Sequence, residues 1–338
     1  MFNQQEFIKK IAKLELHLHI EGSLEPELMF RLAQRNNITL PYASVEALKE
    51  AYQFNNLQEF LDLYYQGAEV LQTEQDFFDL AWAYFETCHR DYVLHTEVFF
   101  DPQTHTERGI DISTVINGLS RAKQQAHEKF GISCEYILCF LRHLSEDSAI
   151  ATLEAAKPYL QHIIGVGLDS SEQGHPPEKF QQVFGMAKQL GLKRVAHAGE
   201  EGPAANVANA WQLLDVSRID HGVRCLEDEV LVKRLAAAKM PLTVCPFSNV
   251  KLKVVEHLRE HPLPEMLEKG LAVTINSDDP AYFGGYLLDN LQACSETFAW
   301  SPQQIAQLCH NAVAASYASD QRKSELSQLI DKCLLEFS

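Results

Sequence analysis

Along residues 14–22, LELHLHIEG, apolar and polar positions alternate strictly. Leu14, Leu16, Leu18 and Ile20 fall on one side of an extended chain, and Glu15, His17 and His19 on the other. This first β-type run spans 13–20. Seven more follow, at 92–100 (YVLHTEVFF), 134–141 (CEYILCFL), 163–169 (IIGVGLD), 193–198 (KRVAHA), 218–221 (RIDH), 241–245 (PLTVC) and 271–276 (LAVTIN). Most are short and apolar, as parallel strands covered by helices are. Between them the spacing turns helical, for example over Leu57 to Tyr64, Phe77 to His89, Val115 to Lys129 and Glu178 to Leu190. Strands alternating with helices predict right-handed βαβ units, and eight of them predict an α/β fold closed as a (β/α)8 TIM barrel. An open doubly wound sheet is the rival architecture. Residues 23–90 hold more helix than one crossover needs and predict a helical insertion over the barrel mouth. The helices after Gly284 should pack outside the barrel. No linker, charge block or low-complexity stretch divides the chain, so 1–338 reads as one domain.

The polar residues cluster where a barrel keeps its chemistry, at the C-terminal ends of strands. His17 and His19 end the first run, His197 the fifth and His221 the sixth; Asp278-Asp279 follows the eighth. Each has an ordinary explanation taken alone. An isolated HxH is usually the polar side of a half-exposed strand, a single buried histidine is usually hydrogen-bonded in the core, and Asp-Asp-Pro is usually a turn or a helix cap. Four such coincidences at four strand ends point instead to a metal site. With a period of two, His17 and His19 share a face and can grip one ion. Histidines with an aspartate suit zinc with room for a water, and iron, manganese or cobalt remain compatible with the same donors.

Composition narrows the partners. The formal net charge is −17, from 46 acidic and 29 basic side chains, which repels nucleic acid and anionic membranes. No apolar run approaches the ~20 residues of a bilayer span, and the first fifteen residues lack the core of a secretory signal. A cytoplasmic protein is expected, with self-association left open. Eight cysteines are scattered without a CxxC pair and are expected to be reduced and mostly buried.

The segments HLHIEGSL (17–24), HAGEEG (197–202), RIDHGVRCLED (218–228), CPFSNVKL (245–252) and INSDDPAYFGG (275–285) resemble, in order, the signature blocks of the adenosine deaminase superfamily, and in detail its adenine deaminase branch. The resemblance runs over most of the chain and implies the same barrel fold. It further implies that one Zn2+ is held by His17, His19, His197 and Asp278. Glu200 would be the proton donor, His221 would handle the attacking water, and Asp279 would contact a small purine substrate. Nucleoside deaminases of the superfamily usually carry aspartate two residues after the second histidine, next to the ribose. Here stands Glu21, whose extra methylene would intrude on a sugar and favour the free base. The expected reaction is therefore conversion of adenine to hypoxanthine and ammonia, with N6-substituted adenines or adenosine as the alternatives. The segment 167–172 falls where nucleoside deaminases present a glycine amide to the purine, but its local sequence differs and assigns that contact to no residue.

Other classes fit less well. His95-Thr96-Glu97 matches half of the cytidine-deaminase zinc signature, yet no PCxxC follows. Barrel hydrolases of esters or cyclic amides commonly bridge two metals with a lysine, and no lysine ends a strand here; Lys193 begins one. A catalytically dead purine- or zinc-binding protein would not need both Glu200 and His221.

Overall fold

The structure, a computed structural model, describes residues 3–337. Eight strands form one parallel sheet in consecutive order: β1 (Lys13–His19), β2 (Val93–Phe100), β3 (Ser133–Leu141), β4 (Ile163–Asp169), β5 (Lys193–Ala198), β6 (Arg218–His221), β7 (Pro241–Val244) and β8 (Ala272–Ile275). Their bounds depart from the sequence expectation by no more than one residue at either end. Consecutive order excludes the doubly wound sheet, whose strand order reverses.

The ring closes beyond β8 rather than along it. Asp278 donates its backbone N–H to His17 O and accepts from His19 N–H, both at 3.0 Å. Asn276 Oδ1 accepts from Leu16 N–H at 3.0 Å, and the Ser277 hydroxyl donates to Glu15 at 2.9 Å. The seam is thus stitched as much by side chains as by a strand ladder.

Alternation in β1 does what the pattern requires. Leu14, Leu16 and Leu18 join the apolar shell under the helices, and His17 and His19 turn into the barrel. The barrel's own apolar filling is small: Phe99, Ile137, Cys139 and Val195. Phe99 presents its ring to both histidines, with centroids 5.0 Å from each. Glu97 and Arg218, both fully buried, form an ion pair inside the barrel, and His95 Nε2 lies 3.2 Å from Glu97 Oε1. Glu97 of the His-x-Glu pair in β2 is therefore engaged in a structural ion pair, with His95 beside it.

Between β1 and β2 the chain makes the helices Pro26–Arg35, Val45–Ala51, Leu57–Ala68 and Glu74–Arg90. The third begins where Asn56 accepts from the Glu59 N–H, and the fourth at a Thr73/Asp76 capping box. Leu57, Phe60, Leu61, Tyr64 and Tyr65 lie on one face of Leu57–Ala68 and line the cavity at the strand C-termini. After Gly284, the helix Pro302–Ala315 packs over β8 and β1, covering the seam from outside. A short helix absent from the pattern reading, Gln4–Lys10, packs against Leu287–Thr297 and Asp320–Phe337. Among the described residues no helix is long and apolar enough to cross a membrane, and all eight cysteines are free and buried.

Candidate active site

Four strand ends deliver the metal-type donors to one point. His17 Nε2 stands 3.1 Å from Asp278 Oδ1, His19 Nε2 is 3.5 Å from the same oxygen, and His19 Nε2 and His197 Nε2 are 3.1 Å apart. Two ligand atoms bound at ~2.0–2.2 Å to a tetrahedral ion stand roughly 3.3–3.6 Å apart, and these three separations are of that order. By proximity alone, His221 also groups with His17, His197 and Asp278 within 4.8 Å, and His19 with Asp278 and Asp279. His19 thus falls outside the set that holds His17 and His197. His221 Nε2 lies 3.6 Å from the other carboxylate oxygen of Asp278, about as near as His19 is to the first, and 3.6 Å from Glu200 Oε2.

Behind the donors stands a second set of acceptors. The Thr243 hydroxyl donates to Asp220 Oδ1 at 2.9 Å and so receives the Nδ1 hydrogen of His17, also at 2.9 Å. This tautomer leaves the His17 Nε2 lone pair free for a metal. The other oxygen of Asp220 faces His197 Nδ1 at 3.6 Å, and Asp169 Oδ2 faces His19 Nδ1 at 3.4 Å. Burial, reinforced by the neighbouring imidazoles, holds the His197 pKa well below its usual value. Burial brings His221 down to about 3. Both rings are thus neutral, as a metal ligand or a proton acceptor must be. Burial opposes ionisation of Asp278, but His17, hydrogen-bonded to it, draws its carboxyl well below the usual range. His221 and Asp278 each hold a left-handed backbone, with φ of 63° in both cases. Non-glycine residues rarely adopt this conformation, and it concentrates where surrounding structure enforces a site.

Glu200 sits on the turn after β5. Burial first, then the Asp278 charge, raises its pKa well above the ordinary carboxylate value, the condition for an acid that keeps its proton at neutral pH. The turn is organised by a residue the sequence reading did not single out. The buried Glu172 carboxylate accepts from four consecutive backbone N–H groups, those of Gly199, Glu200, Glu201 and Gly202, at 2.8–3.1 Å, and from Asn206 Nδ2 at 2.8 Å. Asp279 is 4% exposed, its Oδ1 is unpartnered, and burial with the adjacent Asp278 charge raises its pKa.

The cavity is lined by His19, His197, His221, Glu200, Asp278 and Asp279, by Asp101, Asp169 and Ser170, and by the aromatic roof. His17 lies beneath it. Glu21 does not reach the wall: its Oε1 accepts from His105 Nε2 at 2.8 Å and from the Asp101 backbone N–H at 3.3 Å. Arg108 donates to His105 Nδ1 at 2.9 Å, which leaves the Nε2 hydrogen to point at Glu21. Of the residues named from the sequence, seven are thus gathered around one point and Glu21 stands one layer behind. Asp220, Thr243 and Glu172 were missed, although Asp220 lies inside the quoted RIDHG block.

The family model of adenosine deaminase matches residues 12–333. An adenine deaminase of Vibrio parahaemolyticus is 58% identical over 332 residues, covering 98% of both chains. The crystal structure of an adenine deaminase from Arthrobacter aurescens superposes with a TM-score of 0.94 at 50% identity, over 95% of this chain and 98% of that one. A crystal structure of an amidohydrolase from Burkholderia ambifaria with bound zinc shares the fold, with a TM-score of 0.90 at 24% identity over 98% and 94% of the chains.

Proposed function

The chain belongs to the adenosine deaminase family and is a hydrolytic deaminase, and from that premise we propose that its substrate is adenine, which it converts to hypoxanthine and ammonia. The observation that carries the chemistry is the convergence of an acid with a raised pKa, a neutral imidazole and a metal-type donor set at one cavity. The adenine reading is supported by adenine deaminases 56–58% identical to this chain over nearly its whole length.

His17, His19, His197 and Asp278 would hold a zinc ion. When bound, such an ion supplies a Lewis acid that makes water nucleophilic near neutral pH. The protein's own residues do the rest. His221, neutral and set between Asp278 and Glu200, orients the attacking water and takes its proton. Attack at C6 of adenine pushes electrons onto N1. Glu200 delivers its proton there, so the ring never carries the charge. Asp279, beside Asp278 on the cavity wall, receives the imidazole side of the purine. As the tetrahedral carbon collapses, His221 returns its proton to the leaving amine, the C6 hydroxyl gives up its own to Glu200, ammonia leaves and hypoxanthine remains. Because the reaction recovers a purine ring and ammonia from a free base, we place it in purine salvage and nitrogen metabolism in the cytoplasm.

The test is Glu200→Gln in the zinc-loaded protein. Loss of a general acid should lower kcat by about 10²–10⁴-fold, with metal content and Tm retained. Undiminished ammonia release from adenine would remove Glu200 from the mechanism. A wild-type protein that deaminates adenosine and ignores adenine would overturn the substrate assignment.

A further inference from the structure

Of two further carboxyls of the cavity wall, Asp101 has no part in the chemistry above and Asp169 enters it only behind His19. Asp101 and Asp169 are each 2% exposed, and with His19 they bring their donor atoms within 4.8 Å of one another. The Asp101 and Asp169 carboxyls lie within hydrogen-bond reach of each other, with the Cys139 thiol beside Asp169 and His19 Nδ1 3.4 Å from Asp169 Oδ2, and no other donor among the described residues reaches Asp101 Oδ1 or either oxygen of Asp169. Such acceptors, buried at a cavity wall, cost free energy until a ligand brings a donor. Ser170, the third polar residue of this wall, is already engaged: its hydroxyl lies 3.0 Å from Tyr65 Oη and 2.8 Å from His143 Nδ1.

The carboxyl of Asp101 is built in rather than incidental. Tyr64 donates to its Oδ2 at 2.9 Å, and its backbone N–H is tied to Glu21, which in turn receives a hydrogen from His105. Glu21 therefore acts behind Asp101, as a support for it. A purine placed with C6 at the metal-type donors, N1 toward Glu200 and N7 toward Asp279 has one edge left, the one carrying N3 and N9. The cavity's remaining polar groups with open valences are Asp101 and Asp169. On that edge a free base carries a ring N–H, whereas a nucleoside carries a carbon at N9. We propose that Asp101 and Asp169 form the subsite for this edge, accepting the ring N–H of a purine free base and leaving 9-substituted purines opposite buried carboxyls they cannot pair. The inference rests on the adenine reading and deepens it: selection against sugars comes from hydrogen-bonding at this pair, with Glu21 as its buttress.

The experiment compares adenine, 9-methyladenine and adenosine as substrates of the zinc-loaded full chain. A site built to bond an N–H rejects an analogue lacking it far more strongly than a methyl group alone would explain, so kcat/KM for 9-methyladenine should fall at least ~100-fold below adenine. Asp101→Ala should lower kcat/KM for adenine roughly 10–100-fold and narrow the adenine to 9-methyladenine ratio by the same factor. Asp101→Asn, which retains an acceptor oxygen and the shape, should keep more of that ratio, with Tm reporting that each variant folds. Wild-type protein that turns over adenine and 9-methyladenine alike sinks the subsite while leaving the adenine reading intact. So does an Asp101→Ala variant that loses both substrates equally. Turnover of adenosine with adenine untouched defeats the adenine reading itself, and the subsite with it.

Discussion

Gly22 lacks a side chain because Asp279 fills the space one would occupy: a Cβ built there would lie 1.9 Å from Asp279 Oδ1. Gly22→Ala must therefore displace the Asp279 carboxyl. A displacement of about 1 Å in a group that orients substrate can cost ~10²-fold. We expect kcat/KM for adenine to fall by that order with zinc content unchanged, measured by steady-state kinetics and metal analysis; unaltered kinetics would show that Asp279 does not orient the substrate. At this scale the sequence was most legible where chemistry restricts the residue type. Histidines at His17, His19, His197 and His221 stand out because few other side chains offer a neutral nitrogen to a metal. Asp101, Asp169, Glu172 and Asp220 were illegible for the opposite reason. They are four acids among 46 acidic residues, and each acquires meaning only from what folding sets opposite it.

The turn after β5 shows the same limit for an element. From sequence, HAGEEG reads as a strand end with a carboxylate three residues on, which is correct and incomplete. Four backbone N–H groups in a row point one way, and only a distant acceptor, Glu172, makes that arrangement stable. Gly202 permits the approach, since a Cβ there would stand 2.3 Å from Glu172 Oε1. Glu172→Gln turns an amide NH2 toward some of these donors and leaves them unsatisfied, at roughly 1–3 kcal/mol for each buried group. The expected result is a kcat reduced at least about tenfold with KM for adenine little changed, because the turn carries Glu200, together with a lower Tm. Equal loss in KM would place the damage in substrate binding instead. Strand bounds, by contrast, were read within a residue, since apolar runs bounded by helical spacing admit few alternatives. The helix Gln4–Lys10 escaped notice because only Phe7 and Ile8 are buried in its seven residues, too few to show a period.

For the molecule as a whole, the barrel's weakest joint and its chemistry coincide. Between β1 and β8 there is no continuous ladder, only the backbone exchange at Asp278 and the side-chain bonds of Asn276 and Ser277. His17 and His19 stand on one side of that seam and Asp278 on the other. His197 reaches in from β5, across the barrel interior. An ion shared by these four residues would clamp the seam and tie it to the far wall. Because it would bind the folded chain and not the unfolded one, its binding free energy would add to stability. That contribution is ~2.7 kcal/mol when free metal is 100 times Kd. At about 2–4 °C per kcal/mol for chains of somewhat smaller size, stripping zinc should lower Tm by roughly 5–10 °C. The loss should also be local. In hydrogen exchange, the amides of Leu16, His19 and Asp278 should open faster in the stripped protein, while those of β2 and β3, far from the seam in strand order, should hold. Equal exchange everywhere would mean that the clamp acts on the barrel as a unit. A Tm indifferent to chelation and zinc return would show that these donors are held in place by their own hydrogen bonds, with the metal contributing chemistry alone.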